Sequence, residues 1–217
     1  MQNKVSDNNP RQQPDNSWLA ELGRTIVLSI ILALGIRTFV AEARWIPSGS
    51  MEPTLHGSEN QWEADKIIVD KLSYKVASPQ RGDIVVFSPT QELKSEDYKD
   101  AFIKRIIGLP GEQVELREGK VYVNGKLLPE QNYLDYSKQR TSVEVCTSGP
   151  QPPFLSKPVT IPANSYLVLG DNRMQSYDGR CWGIVPKENI IGRAIVRFWP
   201  LNNLGGIDKS TPYSQEF

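Results

Sequence analysis

Apolar residues are spread along this chain in two different ways. Between residues 18 and 40 they form one nearly unbroken run centred on Leu28-Ser29-Ile30-Ile31-Leu32-Ala33-Leu34. Beyond it they come in short β-branched and aromatic clusters separated by Gly, Pro, Asn and Asp. The first pattern predicts a helix and the second a β-rich body. Strands are predicted over 66–71, Ile84–Phe87, 101–107, Gln113–Arg117, Lys120–Val123, Ser165–Leu169 and, as the last, Ile190–Trp199. Glu118-Gly119 and Asn124-Gly125 are two-residue hairpin turn signals. The polar stretch 88–99 reads as loop. Residues 127–163 read as a Pro-rich, loop-rich insertion with a short strand at 142–145.

The apolar run admits three readings. Its heart is twelve residues between Arg24 and Arg37, short of the ~20 that cross a bilayer core. Counted from Trp18 to Val40 it reaches 23 residues, because arginines snorkel and Trp18 and Phe39 suit the two interfaces. A membrane anchor over 18–42 is the favoured assignment. A removable signal peptide competes, since Ala41-Glu42-Ala43 has the small-x-small form of a cleavage site. An interfacial helix is the third. Residues 1–17 are polar and read as a disordered cytoplasmic tail. Lys4, Arg11 and Arg24 before the run favour a cytoplasmic N-terminus. Residues 43–217 make the β-rich body.

Composition narrows the chemistry. The 25 basic and 25 acidic residues balance, which argues against nucleic acid held by bulk charge. Two cysteines, Cys146 and Cys181, form neither a disulfide framework nor a zinc site; they pair in an oxidising compartment or stay as free thiols. No metal-ligand cluster, phosphate-cradling glycine loop or internal repeat is present, so no metal and no cofactor are expected. The single histidine, His56, lies six residues after Ser50, so a Ser-His-Asp triad has almost no material to use. A serine nucleophile here would need another base, and lysine is the next candidate.

Two stretches supply such a pair. Ile46-Pro47-Ser48-Gly49-Ser50-Met51-Glu52-Pro53-Thr54-Leu55 follows the apolar run, and its prolines exclude regular helix or central strand. The bend can hold a hydroxyl at a fixed angle, or be an ordinary Ser/Gly/Pro loop. In Phe102-Ile103-Lys104-Arg105-Ile106-Ile107, strand alternation puts Phe102, Lys104 and Ile106 on one face and Ile103, Arg105 and Ile107 on the other. A lysine held among apolar neighbours has a lowered pKa and becomes a base near neutrality. The competing reading lets both cations snorkel to water at the strand edge. A third stretch, from Gly170 to Gly183, is a polar loop after a buried strand, where sites often sit.

Taken in order, Ser48-Gly49-Ser50-Met51-Glu52-Pro53-Thr54, Gly82-Asp83-Ile84-Val85-Val86-Phe87, Lys104-Arg105-Ile106-Ile107-Gly108-Leu109-Pro110-Gly111-Glu112, and Gly170-Asp171-Asn172-Arg173 through Ser176 to Trp182-Gly183 resemble the boxes of type I signal peptidases, or leader peptidases. The resemblance implies a mostly β fold: an antiparallel β-sheet catalytic domain with one N-terminal transmembrane helix. It implies a Ser/Lys endopeptidase that removes signal peptides from exported preproteins, cutting after small residues at −1 and −3. Ser50 matches the nucleophile and Lys104 the general base. Ser48 matches the side-chain oxyanion donor, beside the Ser50 backbone N–H, and Ser176 the serine that orients the lysine. Asp171 and Arg173 match signature residues, and Asp178 with Arg180 a structural ion pair. Ile46 and Ile103 are expected as apolar walls of the substrate pocket. The implied partners are signal peptides and the lipid bilayer, without nucleic acid or metal. The implied place is a cell membrane, crossed once, with the catalytic domain on the outer, periplasmic or thylakoid-lumenal face. Pro162-Ala163-Asn164-Ser165-Tyr166 is similar to cyanobacterial and plastid members, and the short insertion implies that the accessory domain of some members is absent or reduced.

Two other functions compete. A Ser/Lys self-cleaving repressor would need an N-terminal DNA-binding domain where this chain has a polar tail and an apolar run. A membrane-tethered β module for binding would leave Ser50 a loop serine and Lys104 a snorkelling one. The Ala41-Glu42-Ala43 segment further suggests slow self-cleavage after Ala43 at high concentration.

Overall fold

The computed structural model describes residues 17–135 and 139–207, so the predicted tail falls almost wholly outside them. Helix α1 (Ser17–Phe39) leads into strand β1 (Ala41–Trp45), which pairs antiparallel with β2 (Lys66–Asp70) along its whole length. Ala41 and Glu42, assigned to the anchor on sequence, therefore lie in the sheet. The helix cannot run on past Val40, whose carbonyl accepts a hydrogen bond from the Lys71 N–H at 2.9 Å. Trp18–Phe39 is long and apolar enough to cross a membrane, and none of it is buried against the body.

After β2 come the short helix α2 (Ser73–Val76), β3 (Ile84–Phe87), helix α3 (Gln91–Ser95), β4 (Phe102–Gly108), the hairpin β5 (Gln113–Arg117) and β6 (Lys120–Val123), β7 (Lys126–Leu127), β8 (Val159–Thr160) and β9 (Ser165–Leu169). Helix α4 (Gly179–Trp182), β10 (Val185–Pro186), β11 (Ile190–Trp199) and β12 (Gly205–Gly206) complete the described chain. Every pairing is antiparallel. One sheet runs β1-β2-β11-β3-β4-β9-β10 with β12 on β11, and a smaller one runs β7-β6-β5-β8. Gly108 marks the passage between them: a Cβ there would lie 2.9 Å from Val114 Cγ2 and 3.1 Å from Leu167 Cβ, so only glycine lets β4 pass this close.

Strand alternation builds the core. Val85, Phe87 and Ile106 pack with Tyr166, Val168 and Trp182. Ile84, Val86 and Ile103 pack instead with Ile46, Met51, Leu55 and Ile67. Burying such side chains supplies roughly 1.5–3 kcal/mol each. Both hairpin signals behave as expected: Glu118, Gly119, Asn124 and Gly125 all have positive φ.

Three local expectations change. The stretch 88–99 contains α3, which Thr90 caps by accepting from the Leu93 N–H at 3.5 Å, and whose Leu93 is fully buried. Residues 142–145 turn rather than extend; the Cys146 N–H reaches back to Val143 O at 2.9 Å, and Cys146 is bridged to Cys181 on α4. The bridge and the Arg180 Nη1 bond to Ser142 O (2.9 Å) hold this part of the insertion against the body, which a free strand would not allow. Finally, β12 adds a bridge after the strand expected to be last.

Candidate active site

Residues Gly49–Met51 form a single 3-10 turn between Pro47 and Pro53. The turn is held from several sides. Asn172 donates from its backbone N–H to Ser50 O and from Nδ2 to Gly49 O, each at 3.1 Å. Gly57 lies so close beneath that a Cβ would stand 1.9 Å from Ser48 O. Ile46 before the turn and Leu55 after it are buried anchors on either side, and Met51 within it is buried too. Ser50 is thereby fixed with its hydroxyl turned toward β4.

There Lys104 Nζ donates to Ser50 Oγ at 2.8 Å and to Ile103 O at 2.9 Å. Lys104 is 3% exposed. Burial lowers its pKa from 10.5 to about 8; Asp178 and Asp171 pull the other way without restoring it, and Arg180 adds to the lowering. Neither cation of β4 snorkels. Arg105, fully buried, points to the opposite face and grips Asp171 with two bonds, Nε to Oδ1 at 2.8 Å and Nη2 to Oδ2 at 2.6 Å. Thr54 Oγ1 donates to the same Asp171 Oδ2 at 2.5 Å, so this pair also ties down the segment after Ser50. A lysine short of full charge, 2.8 Å from a hydroxyl, can take that hydroxyl's proton.

The polar loop supplies the frame. Asp178 and Arg180 pair at 2.8 Å with both side chains fully buried. Burial works to raise the Asp178 pKa, but Arg180 and the N–H groups of Gly170 and Arg180 outweigh it and hold the carboxyl below its usual range. Arg173 pairs with Glu130 at 2.6 Å and donates to Gly170 O at 2.9 Å. Burial alone would ease a proton off Arg173, but Glu130 keeps it firmly cationic. Gly170 is the contact point with the turn: a Cβ there would fall 2.1 Å from Ser176 Oγ and 2.5 Å from Ser50 O. Ser176 Oγ is buried without a hydrogen-bond partner. The contact with Lys104 that the resemblance implies is not made; the ammonium donates to Ile103 O and Ser50 Oγ instead. Ser48 Oγ, on the exposed side of the turn, donates to Ser50 Oγ at 3.3 Å.

Beside the turn lies a groove of about 410 Å³, with Trp45, Ile46 and Pro47 contributing from one segment and Ala101, Phe102 and Ile103 from another. The two expected pocket residues, Ile46 and Ile103, both line it. On β4, β3 pairs with Phe102 through Arg105, whereas β9 pairs only from Arg105 onward. Among the described strands, none covers the other edge of Phe102–Lys104. Ala43 also lines the groove, but all five residues of β1 pair with β2, so cleavage after Ala43 would require β1 to leave the sheet.

Sequence reasoning alone did not single out Arg105, Thr54, Glu130, Gly170 or Asn172. Arg105 carried a signal, a cation on an apolar strand, but its partner Asp171 is 66 positions away. Glu130 sits in what reads as a featureless loop.

A family model described as signal peptidase, peptidase S26, matches residues 19–199. The chain is 52% identical over 192 residues to a probable signal peptidase I-2 of Synechocystis sp., covering 88% of this chain and 78% of that one. It is 49% identical over 204 residues to signal peptidase I of Leptolyngbya laminosa, with 93% and 90% covered. It is 34% identical over 189 residues to thylakoidal processing peptidase 1, chloroplastic, of Arabidopsis thaliana, covering 85% of this chain and 49% of that one. The chain belongs to the signal peptidase family, peptidase S26, in its cyanobacterial form, and is a serine endopeptidase that removes signal peptides.

Proposed function

We propose that Ser50 is the nucleophile and Lys104 the general base of this peptidase. The observation that carries the assignment is the 2.8 Å contact between Ser50 Oγ and a buried Lys104 whose pKa is brought down to about 8. Neutral Lys104 takes the hydroxyl proton as Ser50 attacks the scissile carbonyl; the lysine then gives a proton to the leaving amine. Lys104, neutral again, then deprotonates the water that attacks the acyl-enzyme and returns the proton to Ser50 Oγ as the acyl group leaves. The Ser50 N–H and the Ser48 hydroxyl donate to the oxyanion, a charge absent from the ground state. Ser176 is the orienting serine only if Lys104 meets it during the reaction, since no hydrogen bond joins them here; the support for the role is a buried hydroxyl without a partner, beside Gly170 at the Ser50 turn.

The substrate binds extended, as an added strand between Ile46–Ser48 and the uncovered edge of Phe102–Lys104. Side chains at −1 and −3 face one way, because strand periodicity is two. Ile46 and Ile103 close that side to anything but small residues. Helix α1 crosses the bilayer once, with the β body on the outer face. The Cys146–Cys181 bridge supports that face, since disulfides persist in oxidising compartments.

The test is cleavage of a preprotein with alanine at −1 and −3 by the detergent-solubilised chain, beside Ser50→Ala and Lys104→Met. Activity in the wild type alone, with all three folded, is expected. A variant that still cuts at the wild-type rate would remove its residue from the mechanism.

A further inference from the structure

Where α1 meets the β body there is a second cavity, of about 200 Å³, sharing no lining residue with the substrate groove. Three lysines line it: Lys71 just after β2, Lys75 on α2, and Lys187 ahead of β11. Phe39 and Tyr74 supply apolar wall. The charge there is poorly balanced. Lys71 Nζ lies 3.5 Å from both Glu42 Oε2 and Arg37 O. Lys75 stands 5.7 Å from the centre of the Phe39 ring, and neither it nor Lys187 has a carboxylate partner among the described residues. The nearby acids are otherwise engaged: Asp83 accepts from Tyr74 Oη at 2.8 Å, and Asp70 accepts from Ser73 and from the Leu72 N–H.

Position adds a second observation. The 22 residues of Trp18–Phe39 rise roughly 33 Å as helix, which matches a hydrocarbon core of about 30 Å. Thr38 and Phe39, in the last turn, form part of the cavity wall, so the cavity opens at headgroup depth. A third observation points the same way. Leu72 and Val76, four residues apart across α2, are 42% and 92% exposed, and Phe39 is 61% exposed. These apolar side chains are left largely or partly open, and Leu72 and Val76 directly follow Lys71 and Lys75 in the chain.

We propose that this cavity binds the phosphodiester headgroup of an anionic lipid in the leaflet next to the β body. Lys71, Lys75 and Lys187 meet the phosphate as point charges, and Leu72 and Val76 lie against the acyl chains. A lipid held there fixes the β body to the membrane at a point separate from α1. The proposal rests on α1 crossing the bilayer and not on the assignment of Ser50 and Lys104.

The experiment uses the full chain in detergent, with retained lipid counted by native mass spectrometry after exposure to phosphatidylglycerol or phosphatidylcholine. The variants are Lys71→Gln/Lys75→Gln/Lys187→Gln, the same three positions changed to Arg, and Leu72→Ser/Val76→Ser. Wild type is expected to keep phosphatidylglycerol in preference to phosphatidylcholine. The Gln triple loses that preference by about tenfold or more, the Arg triple keeps it, and the Ser double weakens lipid retention without changing glycerol 1-phosphate binding. Equal retention of the two lipids by wild type, or a Gln triple matching wild type, would overturn the site. Glycerol 1-phosphate displacing lipid equally from wild type and the Ser double would make it a soluble-phosphate site and overturn the lipid. Cleavage of a short Ala-x-Ala peptide in detergent, at the wild-type rate in every variant, reports folding independently. If wild type itself fails to cut that peptide, the Ser/Lys assignment falls and the lipid result still stands. If only the Gln triple fails to cut, the Arg triple and Ser double decide.

Discussion

Lys104 and Arg105 are adjacent on one strand, and both are buried cations, yet they solve the problem of burial in opposite ways. Arg105 meets Asp171 with two parallel bonds, gives a further one to Gly82 O at 2.9 Å and stacks 4.2 Å from the Tyr133 ring. Its charge is compensated on the spot, and a guanidinium in that fork stays protonated. Lys104 has a hydroxyl and a carbonyl as partners, with no carboxylate in contact. Its charge is left uncompensated, so the pKa falls. A buried cation with a counterion holds the fold together; one without it becomes reactive. On the proposed assignment, the same strand carries the frame on one face and the chemistry on the other.

The sharpest test of that contrast is to remove each charge. Lys104→Met is expected to lower kcat for preprotein cleavage by about 10⁴ or more while the protein stays folded, read from steady-state cleavage and a thermal melt. Arg105→Met leaves the buried Asp171 with the Thr54 hydroxyl but without a counterion, and should lower stability by roughly 3–5 kcal/mol, read from denaturant unfolding. If Arg105→Met were as stable as wild type, the division between frame and chemistry would fail.

A smaller effect has the opposite sign. The folded state holds Lys104 at about 8 against an ordinary 10.5, so the unfolded chain binds the extra proton between those values. Stability from this group is lowest below pH 8 and rises as pH climbs toward 10.5. Lys104→Met removes that penalty and should be more stable than wild type at pH 7, by about 3 kcal/mol at ~1.36 kcal/mol per unit. The inactive variant then melts higher than the active enzyme. The pH profile tests the same group through activity. Activity should fall about tenfold per pH unit below a limb near 8 and level off above it. A rate flat from pH 5 to 9 would leave Lys104 without a role as base.

Gly170 offers a way to disturb both halves together. A methyl group there meets Ser176 Oγ at 2.1 Å and Ser50 O at 2.5 Å, so Gly170→Ala should cost about 1–3 kcal/mol and displace Ser50 from Lys104. Loss of activity without loss of stability would show that the turn yields before the loop does.

Much of this was legible along the chain. The apolar run, the period-two clusters and the two hairpin turns gave the helix and most of the strands. The spacing of Ser48, Ser50, Lys104, Asp171 and Arg180 carried the resemblance. What was not legible depended on partners far apart in sequence. Alternation put Arg105 on the far face of β4, but whether it was compensated or snorkelling rested on Asp171. The bridge between Cys146 and Cys181 needed a loop and a short helix to meet. Glu130, in a stretch without periodicity, had no local feature to mark it as the partner of Arg173.

The sequence by itself determined the elements and the residue types at the site, because hydrophobic period, proline and glycine placement act over a few residues. The tertiary structure decided which charges were compensated and where the groove lay. Three strands separate β1 from β4 in the sheet, yet residues from both line the same groove. Desolvation and pairing are properties of the neighbourhood in space, and the Lys104 pKa is set there rather than by the residues beside it in the chain.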